Sequence, residues 1–167
     1  MIYYESQINT YTDNSQMISS VTSLTDGGFV VTWHSTVDQD GDIYNILGQR
    51  YDSSGNTTGS EFFFNTYTDG NQVNPSVTGL NDGGFVVTWE SYGQDGDRSG
   101  VYGQRYDSEG YTAGGEFQIN TYTDSYQSLS SVTSLTDGGF VVTWQSYGQD
   151  GVGYYGVFGQ RYDSSGN

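Results

Sequence analysis

Thr25-Asp26-Gly27-Gly28-Phe29-Val30-Val31-Thr32-Trp33 decides the fold, because it returns at residues 81–89, with Asn81 in first place, and again at residues 136–144. In each copy Asp-Gly-Gly offers positions that take positive φ without Cβ strain, as a tight hairpin turn requires. The run after it reads as a β-strand ending in tryptophan. In the copy at residues 85–89, Phe85, Val87 and Trp89 share one face, and Val86 on the other face is also apolar. The strand is therefore predicted to be covered on both sides.

Two further landmarks fix the period. Ile8-Asn9-Thr10-Tyr11-Thr12-Asp13 recurs at residues 64–69 and 119–124, and Gly48-Gln49-Arg50-Tyr51-Asp52 at residues 103–107 and 159–163. Trp33, Trp89 and Trp144 lie 56 and 55 residues apart, whereas Arg50, Arg105 and Arg161 lie 55 and 56 apart, so length varies in the loop between these landmarks. The repeats run approximately over residues 1–56, 57–111 and 112–167 of one repeat domain. In the third, four strands are predicted, at residues 116–121, 131–135, 139–145 and 155–162. The stretches at residues 52–55 and 107–110 read as type I turns.

With no helical period and with Thr, Val, Tyr and Phe filling the segments, the chain is all-β. Four-stranded units of about 55 residues, buried on both faces, match the blades of a β-propeller. The alternative is a single-chain, three-fold β-trefoil or β-prism. The chain is permuted relative to a blade, so residues 5–10 are predicted to supply the fourth strand of the unit ending at Asn167, in this chain or in another copy. Three blades do not close a ring, since propellers have about four to eight. A two-fold dimer with six blades is the simplest closure, and a non-closing head-to-tail contact gives a filament.

Composition bounds the function. There are 20 acidic residues against 4 basic ones, a formal charge of −16, no cysteine, and 16 Tyr, 8 Phe and 3 Trp. So acidic a surface disfavours nucleic acid as a partner. No apolar run approaches a membrane span, and without cysteine there is neither a disulfide nor thiolate chemistry.

Asp82-Gly83-Gly84-Phe85-Val86-Val87-Thr88-Trp89, Gly93-Gln94-Asp95-Gly96 and Gly103-Gln104-Arg105-Tyr106-Asp107 resemble a repeat of very large secreted bacterial proteins, of hemolysin-type calcium-binding or adhesin-like kind. The resemblance covers essentially the whole chain. It implies an extracellular or cell-surface, propeller-like module of bacterial origin without a catalytic role.

Candidate site residues follow from residue type and spacing. Asp38, Asp40 and Asp42 alternate around a glycine turn as oxygen ligands of Ca²⁺ do, with Asp95, Asp97 and Asp150 at the corresponding places; the plainer reading is a solvated Asp-Gly turn. Tyr92, Tyr102, Tyr147 and Tyr154 near the variable loop are candidates for stacking on a glycan. Trp33, Trp89 and Trp144 are read as packing between repeats. Arg50, Arg105 and Arg161 are read as structural, paired with a repeated carboxylate such as Asp26, Asp82 or Asp137. His34 is the only histidine, is replaced by Glu90 and Gln145 in the other copies, and reads as a loop residue. No nucleophile and base stand together, so the chain is expected to be no enzyme. Its expected role is a binding or structural module that self-assembles through strand exchange, or a lectin-like adhesin with equivalent sites between repeats, or a filament subunit.

Overall fold

A computed structural model describes residues 5–36, 43–151 and 153–167 of the chain. Among the described residues eleven strands follow one another: β1 (Gln16–Ser23), β2 (Phe29–Thr36), β3 (Tyr44–Tyr51), β4 (Thr57–Phe63), β5 (Gln72–Gly79), β6 (Phe85–Tyr92), β7 (Ser99–Tyr106), β8 (Phe117–Gln118), β9 (Gln127–Ser134), β10 (Phe140–Tyr147) and β11 (Tyr155–Tyr162). They form three antiparallel sheets, β1-β2-β3-β4, β5-β6-β7-β8 and β9-β10-β11. We call these the first, second and third blades. Sheets that stack face to face, each starting from an inner strand laid beside the last, are not the trefoil or prism alternative.

The repeated motifs explain each blade locally. At the hairpin turns Gly27, Gly83 and Gly138 take φ of +86°, +91° and +89°. The Asp before each accepts the N–H two residues on, Gly28 to Asp26 at 2.8 Å and Gly84 to Asp82 at 2.9 Å. This Asx turn aims the chain into the next strand. In-register pairing then sets the phenylalanine of the turn motif opposite the tyrosine of the Gly-Gln-Arg-Tyr motif. The two rings stack in every blade, with centroids at 4.6 Å for Phe29 and Tyr51, 4.8 Å for Phe85 and Tyr106, and 4.7 Å for Phe140 and Tyr162. Such a cross-strand aromatic pair holds register.

The two apolar faces of the central strand are both used. Phe85, Val87 and Trp89 pack toward the first blade with Leu24, Val30, Ile46 and Phe64, while Val86 and Val101 pack toward the third with Phe140, Val142 and Trp144. Trp33, Trp89 and Trp144 are all buried.

Three expectations need correction. The inner strands begin earlier than the apolar pattern suggests, β9 at Gln127, because a bulge interrupts the alternation. The bulge residues Ile18, Asn74 and Leu129 sit at φ of +53°, +56° and +53°, a costly conformation for side chains of this kind. The outer strands are uneven, long in β4 and two residues in β8. His34 is no loop residue; it lies in β2 and is buried, its ring edge-on to Tyr44.

Candidate functional site

Successive blades meet through one contact that is made twice. Ser20 and Thr22 of β1 accept the backbone N–H groups of Val77 and Gly79 at 3.3 and 3.0 Å. One repeat later, Ser76 and Thr78 of β5 accept those of Val132 and Ser134, both at 3.2 Å. His34 Nδ1 accepts the N–H of the bulge residue Asn74 at 3.2 Å, and Glu90 takes that of Leu129. The serines and threonines meet N–H groups on the open edges of β5 and β9, whereas His34 and Glu90 meet those of the bulge residues themselves, which offsets part of the cost of the strained φ.

Arginine makes a third rung. Arg50 Nη2 donates to the Ser108 carbonyl in the second blade at 2.7 Å, and Arg105 Nη2 to the Ser164 carbonyl in the third at 3.0 Å. Arg105 also lies 3.6 Å from Asp82. Arg161 pairs with Asp137 of its own sheet and is exposed. Arg105 and Arg161 thus lie beside Asp82 and Asp137, while Arg50 is held by the Ser108 carbonyl; the carbonyl contacts between blades were not foreseen.

The outer strands also reach forward. Phe64, just past β4, packs on Phe85 and Tyr106 of the second blade, and Ile119, just past β8, packs with Phe140 and Tyr162 of the third. The matching residue one repeat earlier is Ile8. It packs on Phe29, Val31, Trp33 and Tyr51 of the first blade, and the Tyr51 hydroxyl donates to its carbonyl at 3.1 Å. The residues around Ile8 therefore lie where the outer strand of a blade preceding the first would lie. Between them and β1 is a cavity of about 330 Å³ lined by Ile8, Asn9, Met17, Ile18, Val31 and Trp33.

The third blade ends the series with its far face bare. Val157 of β11 is 83% exposed, although its equivalents Ile46 and Val101 are at 0%. Gln160 is likewise exposed where Gln49 and Gln104 are buried, and Arg161 where Arg50 is buried. The two ends of the molecule thus present the two halves of the contact found inside it.

The remaining sequence candidates divide. Tyr102 is buried in the seam with the first blade, where burial pushes its hydroxyl up to about 12, so it is unsuited to a surface site. Tyr92, Tyr147 and Tyr154 are exposed at one end of the second and third blades, together with Tyr155, which meets Tyr147 edge-on at 5.3 Å. Nearby, Arg98 donates to the Tyr126 hydroxyl at 2.6 Å. Glu90 lies beneath Tyr92; burial holds its carboxyl above the usual carboxylate range despite hydrogen bonds from Asn74, Tyr92 and Ser99. Burial lowers the pKa of His34. Asp95 accepts the N–H of Asp97 at 3.3 Å, and Asp97 that of Ser125 at 2.6 Å. Asp38, Asp40 and Asp42 lie outside the described residues, and among the described residues no three metal-ligating side chains gather.

No family profile matches the sequence, and no curated protein matches it significantly. Solved structures do match in shape. A protein of unknown function from Dyadobacter fermentans DSM 18053 superposes with a TM-score of 0.68 at 11% identity, over 95% of this chain and 54% of its own. The Hadza microbial sialidase Hz136 gives 0.66 at 14% identity, over 91% and 36%. The endo-arabinase from Bacteroides thetaiotaomicron VPI-5482 gives 0.55 at 13% identity, over 89% and 57%. The chain spans between about a third and somewhat over half of these structures. At such identities they speak for the fold alone, which is propeller-type.

Proposed function

We propose that this chain is a non-enzymatic, propeller-like repeat module that associates head to tail with further copies of itself, the far face of the third blade meeting the near face of the first. One observation carries the reading: the contact between blades occurs twice within the chain, and its two halves stand unpaired at opposite ends. By the repeat, Gln145 would accept the bulge N–H of Ile18, Ser131 and Thr133 those of Val21 and Ser23, and Arg161 would leave Asp137 for the carbonyl of Ser53. A heterologous contact of this kind closes into a ring, such as a six-bladed dimer, or grows as a filament. The absence of a catalytic role is supported by the engagement of His34 and Glu90, both held in seams by hydrogen bonds. A secreted or surface location follows from the resemblance to large secreted bacterial repeat proteins.

Solution mass by light scattering tests this. The wild-type chain should run as a multiple of 18.3 kDa, and Val157→Arg, which places a charge at an exposed position, should run at 18.3 kDa. A wild-type chain that stays at the monomer mass at high concentration contradicts the proposal. Repeating it with calcium and with chelator tests metal-binding by residues 38–42, 95, 97 and 150, because a metal role requires the mass or stability to shift.

A second reading rests on the exposed Tyr92, Tyr147, Tyr154 and Tyr155 at one rim. Flat apolar ring faces beside hydrogen-bonding groups suit a sugar ring, and a sialidase and an endo-arabinase share the fold. In this reading the rim binds glycans without cleaving them. A glycan array should then show binding that Tyr92→Ala and Tyr154→Ala both reduce; no bound glycan would sink it.

A further inference from the structure

We infer that β11 is an acceptor edge for an extended peptide, and that its ligand is residues 5–10 of a second copy, read chiefly by one asparagine and one apolar side chain. The inference rests on the head-to-tail reading and specifies how its outer layer closes. In the first blade the outer edge of β3 is satisfied twice at one residue. Phe64 N donates to the Ile46 carbonyl at 2.8 Å, and Ile46 N donates to Asn65 Oδ1 at 2.7 Å. The second blade repeats this, with Ile119 N to the Val101 carbonyl at 2.8 Å and Val101 N to Asn120 Oδ1 at 2.7 Å. The asparagine side chain replaces a backbone carbonyl and so ends the strand while still capping the edge.

In the third blade the residue in the place of Ile46 and Val101 is Val157, and the matching pair one repeat from Asn65 is Ile8 and Asn9. Asn9 already holds the pose of the other two. Its Nδ2 donates to the Tyr11 carbonyl at 2.7 Å, as Asn65 does to Tyr67 and Asn120 to Tyr122, both at 2.9 Å. Further along, Thr66 N donates to Glu116 at 2.7 Å, and Thr10 N makes the same contact with Glu61. Thr121 N is then matched by Glu5 of the incoming segment. Register follows from Leu47 opposite Phe63 and Tyr102 opposite Gln118, which sets Phe158 opposite Gln7.

Glycine supplies an independent sign of the missing strand. A Cβ on Gly48 would fall 2.3 Å from the Phe64 ring, and one on Gly103 would fall 3.2 Å from Ile119. Gly159 holds the same repeat position, yet a Cβ there would meet only Val142 and Thr143 of its own sheet. The glycine is thus matched to a side chain that the chain itself does not lay over it. Ile8 of a second copy fits that requirement, in a β-augmentation mode of recognition.

The test uses the full chain carrying Ile8→Glu and Asn9→Ala, so that its own segments do not compete, and a fluorescein-labelled peptide of residues 3–12. Anisotropy should report saturable binding. Asn9→Ala in the peptide should weaken it about tenfold, the loss expected for one hydrogen bond to an edge N–H. Gly159→Val in the protein should abolish binding while circular dichroism stays unchanged. No binding, or binding that ignores Asn9 and Gly159, overturns the inference; if the wild-type chain still assembles by mass, the head-to-tail reading stands without it. Peptide binding with the stated dependence in a chain that never assembles would do the reverse, keeping the acceptor edge and sinking the head-to-tail reading.

Discussion

β7 and β11 have almost the same sequence and opposite surroundings. Val101, Tyr102, Gln104 and Tyr106 of β7 are buried between β6, β8 and two flanking blades. In β11, Val157, Gln160 and Arg161 stand exposed beside β10 alone. The difference teaches that a residue in a tandem repeat is chosen for the blade that follows as much as for its own. On the face of the third blade that nothing in this chain covers, the same side chains stand exposed.

The middle and end blades should differ most at their tryptophans. Trp89 is enclosed between two blades, so Trp89→Ala should cost about 3–5 kcal/mol in denaturant unfolding. Trp33, covered on its outer side only by the residues around Ile8, should cost clearly less. Equal losses would mean that the end blade is as fully packed as the middle one.

The asparagines sharpen the same contrast at smaller scale. Asn120→Ala leaves the buried Val101 N–H without its acceptor and should cost about 1–3 kcal/mol. In dilute solution Asn9→Ala should change stability by no more than about 0.5 kcal/mol, since in the proposed assembly its strand partner belongs to another molecule. At concentrations where copies associate, the two substitutions should draw together.

The smallest effect concerns pH. Because burial holds Glu90 above the usual carboxylate range, raising the pH ionises it first in the unfolded chain. Stability is therefore lost as pH rises from the ordinary carboxylate range through the folded value, and levels off above it. Glu90→Gln, which copies Gln145 of the third blade, should remove that loss. A stability profile that keeps its slope in the variant would show that Glu90 is not the group responsible.

Much of the blade could be read from the residues. The Asp-Gly-Gly turn, the two-faced strand and the place of residues 5–10 outside the first sheet follow from local φ preference, a period of two and repeat arithmetic. The seams were less legible. Nothing local marks Ile18 or Leu129 as bulge residues, because a positive φ at a branched or long side chain runs against its own preference and is held by a neighbouring sheet. His34 and Glu90 look like unrelated substitutions until the bulge N–H that each faces is known. A repeated position that stays an acceptor while its residue type varies was the signal available. Tyr102 was misplaced for the opposite reason, since a tyrosine near a strand end reads alike whether it faces solvent or a seam.

Amide hydrogen exchange at Val157, followed from dilute to concentrated protein, reads out whether a second copy covers the edge of β11. Exchange should be fast when dilute and approach the protection of Ile46 and Val101 when concentrated, as Asn9 of a second copy takes the N–H. Fast exchange at Val157 at every concentration, with Ile46 and Val101 protected throughout, would contradict it.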